Sequence, residues 1–179
     1  MPVIHVHSQF SPRDPDTARR FKVAGMSWAT QRWKERPITD AELPRAFKDG
    51  AASLPYVRDL LDIAAAGQPQ DAILVLTNSD TIIASDGTLR IVSALQHRDV
   101  TYAFRRDWYH HLCAPPADRD FAKGADYPGS DLHACRVRWW LAYRSMWPDL
   151  LLGREAWDWC MRVLMEATCM SKPLSLPDL

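Results

Sequence analysis

Asp71-Ala72-Ile73-Leu74-Val75-Leu76-Thr77-Asn78-Ser79-Asp80 sets the reading of the whole chain. Ile73 to Leu76 is an unbroken apolar run, the pattern of a strand buried on both faces of a sheet. It stops abruptly in Thr77-Asn78-Ser79-Asp80, a cluster of short oxygen-bearing side chains. An α/β sheet presents its ligands at the carboxyl edge of such strands. Hard cations such as Mg²⁺ or Mn²⁺ take oxygens of this kind, a few from protein and the rest from phosphate and water. Asn78 and Asp80 are also residue types that cap a following helix, so the stretch alone leaves both roles open.

Working outward, Val3 to Val6 reads as a short first strand closed by His5-Val6-His7-Ser8, and Gln9 to Pro15 as a loop. Asp16 or Thr17 caps a helix reaching Trp28. Glu35-Arg36-Pro37 breaks the chain, Thr39-Asp40-Ala41-Glu42 signals a short turn, and Asp49-Gly50 another. Leu54 to Ala66 has Val57, Leu60, Leu61 and Ala64 at helical spacing, with Pro55 in its first turn. Beyond the central run, Asp86-Gly87 turns into a helix from Thr88 to Leu95, and Val100 to Phe104 is β-branched and aromatic, hence a strand. Cys113 to Ser130 is a long Pro-, Gly- and Asp-rich loop of the kind that often carries function. Asp131 to Trp140 reads as a short strand or strand–helix junction, Ala156 to Met170 as a helix, and the tail from Ser171 as frayed. Alternating strands and helices imply one compact α/β domain over residues 1–179, a mostly parallel sheet flanked by helices.

Composition narrows the function classes. Lys plus Arg and Asp plus Glu are 22 each, so no overall basic field points to nucleic acid, although Arg105, Arg106, Arg136 and Arg138 leave a local basic face open. Cys113, Cys135, Cys160 and Cys169 form no CxxC pair and no metal-ligand spacing, which fits reduced, mostly buried thiols in a cytoplasmic protein. No leader segment is apparent, and no apolar run approaches the roughly 20 residues of a membrane span. Of the eight tryptophans, six fall at or after Trp108, so the second half holds an aromatic core or a stacking surface.

Three segments carry a resemblance: Val75 to Asp80, then Ala103 to Trp108, then Gly129-Ser130-Asp131-Leu132 followed by Trp139-Trp140 and Pro148 to Asp158. Over residues 70–160 the chain resembles GT-A-type glycosyltransferases, which share the nucleotide-diphospho-sugar transferase fold. The resemblance implies a nucleotide-sugar donor, an acceptor it does not specify, and Mn²⁺ or Mg²⁺ assisting departure of the diphosphate. Asn78 and Asp80 would hold the metal. Arg105, Arg106 and Asp107 would grip phosphate or sugar. His5, Gly129, Ser130, Trp140, Gly153 and Trp157 would complete the substrate site. Asp131 and Asp158 would be the catalytic pair, Asp131 toward the donor sugar and Asp158 as an acceptor-side acid or base. Asn78 stands where that family commonly has its first Asp, and the first half is short for the fold. Those departures keep a second reading in view, a nucleotide- or partner-binding module that has lost the chemistry.

A third reading rests on Ile4-His5-Val6-His7-Ser8 with Asp14, which looks like the opening metal motif of PHP-type phosphoesterases. His5 and His7 would project from one face of a strand onto a metal.

Overall fold

Ile73–Thr77 (β5) is buried at every position and lies inside the main sheet of the computed structural model. The structure describes residues 1–9, 14–49, 52–107, 112–154, 156–168 and 175–176. Trp108, Cys169, Met170 and most of the tail from Ser171 lie outside them. β5 pairs with Val3–Gln9 (β1) in parallel and with Leu132–Arg136 (β9) antiparallel. β1 pairs outward with Lys34–Thr39 (β2), and β9 with Val100–Ala103 (β6). Ser175–Leu176 (β10) adds beside β6, giving the order β10-β6-β9-β5-β1-β2. β9 alone runs against the other five strands. The expected α/β domain is therefore present, but its sheet is mixed: β9 pairs antiparallel on both sides, and the other three pairings are parallel.

Alternation along β5 splits the core into two layers, as a period of two requires. Leu74 and Leu76, with Ile4 and Val6 of β1, pack against Val57–Ala65 (α2), Val137–Tyr143 (α4) and Trp157–Thr168 (α5). Ile73 and Val75 face Pro15–Trp28 (α1) and Gly87–Ala94 (α3) through Ala24, Trp28 and Ile91.

Several boundaries differ from the sequence reading. β1 runs to Gln9 rather than stopping at Val6. The N-cap of α1 is Asp14, whose carboxylate accepts both the Thr17 N–H and the Thr17 hydroxyl at 2.8 Å, and not Asp16 or Thr17. Glu35-Arg36-Pro37 does not break the chain but lies in edge strand β2, where a missing N–H is tolerated. Leu54 and Pro55 end a hairpin formed by Ala46–Asp49 (β3) and Ala52–Pro55 (β4), so α2 starts only at Val57. The long loop folds into a short ribbon, Arg106–Asp107 (β7) against Ala125–Asp126 (β8), around one 3-10 turn at Asp118–Lys123. Of the described cysteines only Cys135 is buried; Cys113 is exposed and Cys160 half-buried. Among the described residues no helix is long and apolar enough to cross a membrane.

Candidate functional site

The parallel strands β5 and β6 deliver their last residues to one edge of the sheet, and the reversed strand β9 starts there. That geometry gathers Asp80, Arg105 and Asp131 from distant parts of the sequence. They line one hollow of about 500 Å³, with Asp16, Arg19 and Arg20 of α1, Arg106, Asp107 and the apolar Val23, Ile83, Phe104 and Phe121. The size suits a nucleotide-sized ligand.

The charges are interleaved. Arg105 donates through Nη1 to Asp131 Oδ2 at 2.8 Å and forms an ion pair with Asp107 at 2.7 Å. Its guanidinium lies over the Tyr127 ring, 3.7 Å from the centroid. Arg20 donates to Asp80 Oδ2 at 2.6 Å and pairs with Asp16 at 3.3 Å. Asp131 is 6 % exposed. Burial raises its carboxyl pKa, Arg105 works against that rise, and the negative charges of Asp80 and Asp158 add to it. Arg106 belongs to the ribbon, donating to the Gly124 carbonyl at 3.2 Å and pairing with Asp126.

Asp158 sits in the first turn of α5 and does not line the hollow. Its Oδ2 accepts the Ser130 N–H at 3.1 Å, which anchors the segment that carries Asp131. Gly129 has no side chain for a steric reason: a Cβ there would lie 2.5 Å from Asp158 Oδ2 and 2.6 Å from the Tyr127 ring. Ser130 is buried, and its hydroxyl lies 3.0 Å from His133 Nε2. Burial drops the His133 pKa from 6.5 to about 4. Asp158, Gly129 and Ser130 therefore position Asp131 from behind the hollow.

Four expected substrate residues lie elsewhere. Trp140 is fully buried in α4, with its indole N–H donated to Asp62 at 2.8 Å, so neither ring face is open to a sugar. Trp157 is buried against the His133 ring. Gly153 takes a left-handed φ of 82° in the turn before α5, a conformation glycine accepts without strain. His5 is fully buried, stacked on Trp33 at 4.3 Å and bonded to Thr77 Oγ1 at 2.8 Å. Burial, then the neighbouring His7, lowers its pKa well below 6.5. His7 packs beside it against Trp28, and Asp14 caps α1. The three residues of the phosphoesterase reading are thus engaged in core packing and a helix cap.

No family model, curated protein or solved structure matches the chain. What the hollow can hold follows from its own groups. A divalent ion carried by protein would need carboxylate oxygens at the tip of β5. Among the described residues that follow β5 to its tip, Asp80 is the one carboxylate, and its Oδ2 is taken by Arg20. Asn78 is half-buried and offers at most an amide oxygen. Among the described residues no three His, Cys, Asp or Glu side chains converge. The donor set is a poor fit for Mn²⁺ or Mg²⁺. Arg19 and Arg20 carried no functional signal in the sequence, since two arginines on an amphipathic helix read as a solvent face.

Proposed function

We propose that this chain is a GT-A-type glycosyltransferase acting on a nucleoside-diphosphate sugar. One observation carries the reading: Asp80, Arg105 and Asp131 meet at one hollow at the carboxyl ends of β5 and β6, the edge where α/β sheets present ligands. In the reaction, the bond between the anomeric carbon and the β-phosphate oxygen breaks, and the nucleoside diphosphate leaves with the electron pair. An acceptor oxygen bonds to the anomeric carbon, and its proton passes to a carboxylate. Arginines at the hollow stabilise the charge that develops on the departing diphosphate. Asp131 is the carboxylate best placed to hold a sugar hydroxyl or take that proton, because burial raises its pKa toward the range a general base needs. Asp158 acts one step back, by fixing the Ser130 backbone.

Asp80→Ala and Asp131→Ala, assayed for donor hydrolysis and transfer with UDP- and GDP-sugars, test this. Loss of about 100-fold or more in turnover with a retained melting transition is expected. Two correctly folded variants with full activity would sink the assignment. The binding-module reading is favoured by the pairing of Asp80 and Asp131 each with an arginine. Binding of a nucleotide sugar with no turnover over any acceptor class would favour it.

A further inference from the structure

We infer that the guanidinium of Arg20 occupies the place of a divalent cation beside Asp80, so that the hollow binds a diphosphate group without metal. The inference rests on the diphosphate-donor reading above and adds the nature of the counter-charge.

Arg20 reaches the hollow from α1, the helix that joins the parallel strands β1 and β2. Asp80 Oδ2 holds its Nη1 at 2.6 Å, and Asp16 holds its Nε at 3.3 Å. Two carboxylates thus fix one planar fork from two directions. The Arg20 and Asp80 side chains remain 49 % and 42 % exposed, so the fork meets solvent and ligand rather than packed core. Arg19 and Arg105 line the same hollow. A divalent ion bound to Asp80 would have to displace this guanidinium and then tolerate its charge a few ångströms away. A guanidinium, by contrast, matches two phosphate oxygens at once through parallel N–H donors. Asp80 then serves as a positioning residue for Arg20 and not as a metal ligand. Asn78 fits the same arrangement, since a second acid at the strand tip would have no cation to serve.

The experiment is isothermal titration of the whole chain with inorganic pyrophosphate and with UDP and GDP, in EDTA and in Mn²⁺. The expected result is binding of similar strength in both buffers. Arg20→Ala should weaken pyrophosphate at least about tenfold in EDTA, and Arg20→Lys should recover part of the loss, because it restores charge without the fork. Having lost its guanidinium, Arg20→Ala should also bind better when Mn²⁺ is added, a change in metal dependence that a purely structural role would not produce. Arg20 is half-exposed and alanine favours helix. If the variant nevertheless fails to melt cooperatively, the comparison of EDTA with Mn²⁺ on the unaltered chain decides alone. Binding or turnover that requires Mn²⁺, or an Arg20→Ala chain that binds as before, overturns the inference and leaves the transferase reading standing. Metal-free, Arg20-dependent pyrophosphate binding with no nucleotide-sugar turnover upholds the site and removes that reading. Failure of pyrophosphate, UDP and GDP to bind in either buffer overturns both.

Discussion

Asp131 is the residue whose environment says most about what the fold tolerates for its site. Its carboxyl pKa is raised because burial and two neighbouring negative charges outweigh the Arg105 ion pair. A raised folded-state value means that stability falls as pH climbs from 3.8 through the shifted value, and the loss persists at neutral pH. Asp131→Asn removes that charge and keeps the shape. It should melt no lower than the native chain at pH 7 by scanning calorimetry, while donor turnover collapses. His133 works with the opposite sign. Its pKa is dropped to about 4 by burial, so between pH 6.5 and 4 the unfolded chain takes up a proton that the folded chain refuses. About 3 kcal/mol of stability should disappear across that window, and the buried His5 adds to the loss in the same direction. Urea unfolding at pH 7 and pH 4.5 measures this, and His133→Gln should flatten the slope. At this scale the sequence spoke through strand ends: Asp80 and Arg105 stand out because charge follows an apolar run, and Asp131 because it follows Gly129-Ser130 just ahead of Leu132. Trp140 misled, since an aromatic pair at a strand–helix junction carries no sign of which faces are covered.

Among the elements, β5 was the easiest to recognise, because a strand buried on both faces shows as a plain apolar run. Leu74 and Leu76 contact one helical layer and Ile73 and Val75 the other. Leu74→Ala should therefore cost about 2–5 kcal/mol in denaturant unfolding, with little room for the walls to collapse. β2 was not legible. Lys34-Glu35-Arg36-Pro37 has no apolar alternation, and only its place on the edge beside β1 makes it a strand. The hairpin β3–β4 was hidden for a related reason: Leu54-Pro55 carries helix-start chemistry, yet pairs with Ala46 and Phe47. The segment entering β9 depends on a close approach that spacing does not reveal. Gly129→Ala would drive a methyl into Asp158 and Tyr127. It should stretch the Ser130–Asp158 bond, shift Asp131, and lower turnover at least about tenfold with a smaller change in melting temperature. A Gly129→Ala chain with native kinetics would show that Asp131 needs no such anchoring.

For the whole molecule, the site is a balance of Arg19, Arg20, Arg105 and Arg106 against Asp16, Asp80, Asp107 and Asp131, inside a chain whose formal net charge is zero. A diphosphate ligand competes with those aspartates for the guanidiniums. Its stabilisation of the fold should follow mass action, about 2.7 kcal/mol at a hundred times Kd, and should shrink between 50 and 500 mM salt in a thermal-shift series. A shift insensitive to salt would point to an apolar ligand. Strand order itself was beyond reach of the sequence, because register and neighbour choice are long-range. The wedge position of β9 has a cost during folding. β5 and β6 are made first and run the same way, so nothing in their backbones forbids them from zipping together before residues 132–136 arrive. A premature union of that kind would shut Asp131 out altogether. Refolding should therefore include a slow phase whose rate does not change with protein concentration, and ligand binding at the hollow should return later than helical signal does.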